Sequence, residues 1–184
     1  MVSGYDGRVN LQAILSRSRK KRETGTNEEE IPYSIVLLLR QPHFFSKQEL
    51  QAAGEKAWGK RFDGEEDPMY FVVQNGEITM MKAGKYVVQV VHANQPYLGD
   101  VEEIAWQLPR KEQKEVWLQH EAWVALDFWN KEPDEDEAYA VLARFALQFG
   151  DANCCAVYVP KAEVLMPNDG TAEIGLREMI GAFR

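Results

Sequence analysis

Apolar and polar positions run through one order twice along this chain: an apolar stretch, a capped helical stripe ahead of a glycine, then two short apolar stretches. The first copy opens in residues 31–40, where Ile35-Val36-Leu37-Leu38-Leu39 shows no alternation. That pattern predicts a central strand buried on both faces. Ser46 and Glu49 then stand at capping-box spacing, Phe45 and Leu50 hold the two staple positions, and Gly59 suits a left-handed helix end. Leu50, Ala53 and Ala57 supply the helix's apolar stripe. Residues 69–73 and 77–81 read as a strand pair around Asn75-Gly76, a hairpin signal because both residues tolerate positive φ. Lys82-Ala83-Gly84 turns the chain into a third strand over residues 85–92.

The second copy opens with a strand over residues 122–129. Asp134 and Glu137 follow at cap spacing, and Ala138, Val141, Leu142, Phe145 and Phe149 keep helical periodicity up to Gly150. Residues 152–159 and 162–166 close the copy, and a last helix is predicted over residues 171–182. Residues 99–119 form a helical bridge between the copies: Asp100 and Glu103 repeat the cap pattern, Pro109 stops the first helix, and a second covers residues 111–119.

A strand-helix-strand connection makes its two strands parallel. The pattern therefore predicts an α+β fold of duplicated β-α-β-β units, residues 31–81 and 122–166. They are expected to join in one mixed sheet of about six or seven strands, helices mainly on one face, as a ferredoxin-like relative. Residues 1–30 read as a mobile polar leader and residues 31–184 as a single α+β domain.

Charge divides the chain at the same place. Of 21 Lys and Arg and 29 Asp and Glu, residues 1–22 hold Arg8, Arg17, Arg19, Lys20, Lys21 and Arg22 against Asp6, a net of +5; the remainder nets −13. A body this acidic repels phosphate backbones, so nucleic acid is not expected as its partner. The basic cluster reads first as a solvated tail, with an address or an anion-binding arm as alternatives. Val9, Leu11, Ile14 and Leu15, just ahead of it, are spaced for a short amphipathic turn or two. No run of about 18 apolar residues and no secretory layout occurs, which predicts a cytoplasmic protein without a membrane partner. Cys154 and Cys155, the only cysteines, are neighbours on opposite strand faces, so they are expected unbridged and reduced. Their spacing makes no zinc site, and no metal or cofactor is expected.

Candidate chemistry centres on His120 and the strand after it. A zinc-protease helix would need a second histidine four residues on, where Val124 stands. A His120–Asp127 dyad fails because an odd separation along a strand puts the two on opposite faces. Alternation groups Trp123, Ala125, Asp127 and Trp129 on one side, which predicts either a ligand-stacking surface or a second face packed against a loop or the N-terminal segment. His92, His120, Trp123, Asp127 and Trp129 are the candidate binding residues; His92 and His43 have sufficient structural explanations as packed histidines. The acidic run Glu132–Glu137 lacks the alternation of a calcium loop and matches the positive end of the following helix. Phosphate-binding loops and nucleophile elbows have no counterpart here, and no catalytic residue is assigned.

His120-Glu-Ala-Trp-Val-Ala-Leu126, the acidic-capped helix and Cys155-Ala-Val-Tyr-Val159 together resemble a bacterial family, the domain of unknown function 4261. Members are similar in the opening apolar strand, a tryptophan near the end of the first helix (here Trp58), a His-x-Ala strand start and a late small-residue-Val-Tyr strand. The resemblance spans residues 31–166. It departs at Trp123, where a second histidine is common, and at His92-Ala-Asn-Gln-Pro96, where a Met-Pro-x-Pro stretch is common. It implies no reaction and transfers no catalytic residue.

Three functions follow as expectations. The first is a non-catalytic interaction or binding module in a bacterial cytoplasm, using the face around Trp123, Asp127 and Trp129 for a protein or a small ligand. The second is a small-molecule hydrolase or transferase with His92 or His120 as general base. The third is an immunity-type protein whose acidic surface covers a basic partner.

Overall fold

The computed structural model describes residues 32–76, 78–130 and 134–182, so the N-terminal leader lies outside the described residues. Among the described residues, seven strands and five helices follow in the order β1 (Ser34–Leu39), α1 (Lys47–Trp58), β2 (Tyr70–Asn75), β3 (Ile78–Ala83), β4 (Tyr86–Ala93), α2 (Val101–Gln107), α3 (Lys111–Gln119), β5 (Ala122–Phe128), α4 (Glu135–Phe149), β6 (Cys154–Val159), β7 (Val164–Pro167) and α5 (Thr171–Ala182). All seven strands form one sheet in the order β2-β3-β4-β5-β1-β6-β7.

Every neighbouring pair in that sheet is antiparallel, which corrects the expected mixed sheet. The crossover argument itself holds: β5 and β6, joined through α4, point the same way, as do β1 and β2, joined through α1. They do not touch. β1 lies between β5 and β6, and β3, β4 and β5 lie between β1 and β2. The split arrangement converts parallel directions into antiparallel contacts, and β1-α1-β4 with β5-α4-β6 trace the β-α-β-β-α-β path of a ferredoxin-like plait. In that frame β4 occupies the place that β6 has in the other half, while β2 is carried out to the sheet edge.

Local chemistry sets the elements. Ser46 and Glu49 form the capping box reciprocally, with Ser46 N–H donating to Glu49 Oε2 at 2.7 Å and Glu49 N–H donating to Ser46 Oγ at 3.3 Å. Asp134 accepts from Glu137 N–H at 3.0 Å and Asp100 from Glu103 N–H at 2.9 Å. Asn75 pairs with Ile78, so the hairpin turns one residue later than the Asn-Gly reading places it, with Gly76 at φ 60°. The β6 ladder slips between Leu38 and Leu39, leaving Cys155 as the bulged residue.

Two cores result, one on each side of the sheet. α1, α4 and α5 cover the first side, over Leu37, Leu39, Val124, Leu126 and Val157. α2 and α3 cover part of the second, where Val36, Leu38, Ala125, Tyr158 and Leu165 meet Ile104, Leu108 and Trp117. Three helices against two short ones makes the coverage mainly one-sided.

Gly54 in α1 is a close-approach position: an added Cβ would fall 2.5 Å from the ring of fully buried Phe62. Gly181 in α5 has open space around it. Gly54→Ala should lower stability by about 1–3 kcal/mol through overpacking despite its better helix propensity. Gly181→Ala should raise it by up to about 1 kcal/mol. Thermal melts of the two variants check both signs.

Candidate functional site

The bridge helices position His120. It ends α3, is 2 % exposed, and packs edge-on against Trp117 at 5.0 Å between ring centroids. Its Nδ1 bonds the Trp117 carbonyl, and its Nε2 accepts the Tyr97 N–H at 2.9 Å. Nδ1 therefore carries the proton, since each nitrogen of a neutral imidazole plays one role. Both nitrogens serve the backbone, fixing the loop after β4, where Leu98 takes a left-handed φ of 66°. Burial lowers the His120 pKa, opposed by the two backbone bonds.

His92 stands on β4 with Val88 and Val90 and so faces the first side, beneath the turn before α1. Its Nε2 accepts the Phe45 N–H at 3.2 Å, and the Phe44 and Phe45 rings lie 5.6 and 5.9 Å from it. Burial lowers its pKa, helped by His43. His43 itself sits at the surface, 3.0 Å from Glu49. The sheet separates His92 from His120, so the two imidazoles cannot act on one substrate.

Trp123, Asp127 and Trp129 share a side by strand alternation but not a site. Trp123 packs edge-on against Tyr97 at 5.2 Å and belongs to the second core. Asp127 accepts from Ser34 Oγ at 2.5 Å; burial raises its pKa, and the Ser34 hydroxyl opposes the rise. Burial, then Asp127, pushes the Tyr97 phenol up to about 12. Trp129 follows the strand end and is 60 % exposed, its N–H still bonded to Val87 O at 2.9 Å. Six residues of strand separate the two indoles by about 20 Å, too far to sandwich one small ligand.

Burial also raises both thiols, Cys154 to about 12 and Cys155 to about 11, and both are free cysteines. Neither has the electropositive, accessible setting of a reactive thiolate. Among the described residues, no three His, Cys, Asp or Glu side chains gather where a metal ion fits.

What the structure brings together is a surface the candidate residues only border. α3 packs on β6 and β7, and among the described residues no helix packs on the second side of β2, β3 and β4. Register places Val73 opposite Met80 and Phe71 opposite Lys82 on β2 and β3, then Lys82 opposite Val87 and Met80 opposite Gln89 on β3 and β4. Val73 is 44 % and Ile78 57 % exposed; Phe71, Met80 and Val87 are half-buried, while Val91 farther along β4 packs against the second core. Trp129 closes this apolar face at the end of β5. The sequence carried a signal for it. Tyr70-Phe71-Val72-Val73 and, Thr79 apart, Ile78-Thr79-Met80-Met81 carry apolar residues on both faces, unlike the strict alternation of a half-solvated hairpin.

Among the described residues, clefts lie elsewhere, three of them well defined. One of about 300 Å³ between α4 and α5 is lined by Lys56, Gly150, Asn168 and Arg177. Another of about 390 Å³ lies beside Trp106 and Leu118. The third, about 210 Å³, lies beside Arg110 and Gln113. None of the three is lined by His92, His120, Trp123, Asp127 or Trp129.

Comparison with protein-family models, with curated proteins and with solved structures finds no match to this chain.

The buried histidines give stability a pH dependence of definite sign. The unfolded chain protonates near the ordinary value of 6.5, whereas folded His120 and His92 resist protonation. Their contribution is full above that pH and falls away below it, until the lowered folded-state values are passed. Denaturant unfolding between pH 8 and pH 5 should show this decline. His120→Leu should flatten part of it, at a cost of about 1–3 kcal/mol because the Tyr97 N–H loses its acceptor.

Proposed function

We propose that this protein is a non-catalytic binding module of a bacterial cytoplasm, docking a basic amphipathic segment of a partner protein on the uncovered side of β2, β3 and β4. The observation that carries the reading is that side itself, where Val73, Ile78 and Trp129 are 44 %, 57 % and 60 % exposed on a sheet whose other regions lie under helices. Exposed apolar side chains gathered on one face, here with Lys82 and Gln89 among them, mark an interaction site. The basic character of the partner follows from the net charge of −13 outside residues 1–22. Such a charge speeds and orients encounter with a cationic segment. Unbridged, buried cysteines support the reducing compartment, and the family resemblance supports the bacterial setting.

The hydrolase or transferase reading loses its geometry. It needs a free imidazole converging with a second imidazole or a carboxylate, yet both His120 nitrogens hold backbone groups and His92 lies across the sheet.

A fluorescein-labelled synthetic peptide with one leucine-rich and one lysine-rich side should bind the protein in anisotropy titrations, more weakly as salt is raised. Val73→Glu with Ile78→Glu should weaken binding at least tenfold. Trp129→Ala should weaken it severalfold. Trp123→Ala should instead lower thermal stability and leave affinity unchanged, because its ring packs on Tyr97. Absence of binding, or binding indifferent to Val73→Glu with Ile78→Glu, would refute the reading.

A further inference from the structure

Where α3 meets β7, at the opposite edge of the sheet from β2, the cleft of about 210 Å³ contains a buried polar group that the fold itself does not satisfy. Gln113, 2 % exposed, forms the floor with Leu165 and Pro167, which are also buried. Its amide is oriented by the strand: Nε2 donates to the Leu165 carbonyl at 3.2 Å, so Oε1 turns away from that oxygen and has no hydrogen-bond partner. A buried acceptor without a donor is costly, and one in the floor of a cleft points to a ligand that brings the donor. Trp117 Nε1 and Tyr158 Oη are unpartnered in the same core, but neither side chain lines the cleft.

The rim carries both signs of charge. Arg110 stands at the N-cap of α3 without capping it by its side chain, so the first turn of this nine-residue helix presents its N–H groups, the positive end of the dipole, at the cleft. Glu112 and Asp169, both exposed, line it too. Hydrogen bonds from the Thr171 hydroxyl and N–H hold the Asp169 carboxyl below the usual carboxylate range, so it is ionised. A bare anion would face Glu112 and Asp169, and a bare cation would face Arg110 and the helix end. A zwitterion meets each with its opposite. The volume falls below the roughly 300–1,000 Å³ of pockets for drug-sized molecules. The ligand is therefore small.

We propose that this cleft binds a small aliphatic α-amino acid: carboxylate at the first turn of α3 beside Arg110, ammonium donating to Gln113 Oε1 and facing Asp169, side chain on Leu165 and Pro167. The carboxylate takes the place that helix N-termini offer to anions. β7 and β2 are opposite edges of the sheet, so this site and the docking face are independent readings.

The test titrates the isotope-labelled full chain with L-alanine, propionate and ethylamine in turn, following backbone and side-chain amides by NMR. L-alanine should shift the backbone amides of Lys111, Glu112 and Gln113 and the Gln113 side-chain amide saturably, half-saturating at about 1 mM or below. Propionate and ethylamine, each with one charge only, should bind at least tenfold more weakly. Gln113→Leu should weaken L-alanine about tenfold or more, as loss of a hydrogen bond to a charged group requires, and leave the propionate response unchanged. Asp169→Asn, which keeps a capping side chain ahead of α5, should weaken L-alanine severalfold. The same spectra report whether each variant folds; should Gln113→Leu not fold, Asp169→Asn and the three titrations of the unaltered chain decide. Propionate or ethylamine binding as tightly as L-alanine would overturn the proposal. So would an L-alanine response indifferent to both substitutions, or no saturable shift up to about 20 mM.

Discussion

The structure depends on the burial of β1 from both sides. Ser34–Leu39 is buried at every position, hydrogen-bonded to β5 on one edge and β6 on the other. Its odd-numbered residues fill the core beneath α1, α4 and α5, and its later even-numbered ones, Val36 and Leu38, fill the core beneath α2 and α3. A strand with five consecutive apolar residues, here Ile35–Leu39, is stable only where helices or other structure cover both faces. Placing β1 between β5 and β6 meets that demand, and it also makes every neighbouring pair in the sheet antiparallel.

The same sheet decides what the histidines can do. It is a wall between His92, under the aromatic turn before α1, and His120, at the end of α3. Each accepts a backbone N–H in a partly or wholly buried place, and burial favours the neutral ring that can accept. These residues therefore act on loop geometry: His120 fixes the segment that carries Tyr97, and Tyr97 in turn packs on Trp123 and Tyr158. Asp127 belongs to this economy too, held by Ser34 at the start of β1.

Coverage of the second side stops where the two bridge helices stop. Among the described residues, a seven-residue and a nine-residue helix, α2 and α3, span one end of a seven-strand sheet and do not reach its β2–β4 end. The sheet's edges are better guarded than this face. Asp63 bridges to Phe71 along the outer edge of β2, and β7 is only four residues long. Both devices discourage edge-to-edge pairing. An apolar face kept beside guarded edges fits side-chain docking better than strand addition.

Much of the fold was legible in residue order because it depends on local chemistry. The capping box at Ser46 and Glu49, the Asp134 cap, the i, i+3, i+4 stripe of α4 and the unbroken apolar run of β1 each act over a few residues, and each forms where expected. The expectation of helices mainly on one side also held. Strand pairing did not follow from the pattern, because which strands become neighbours depends on contacts between residues about 90–120 apart, such as Ser34 with Asp127 and Leu38 with Ala156. The candidate site divided in the same way. Alternation put Trp123, Asp127 and Trp129 on one side of β5, but only packing distinguished an indole held by Tyr97 from one open to solvent. Sequence periodicity assigns a side chain to a face; whether another element covers that face is set by where distant segments come to rest.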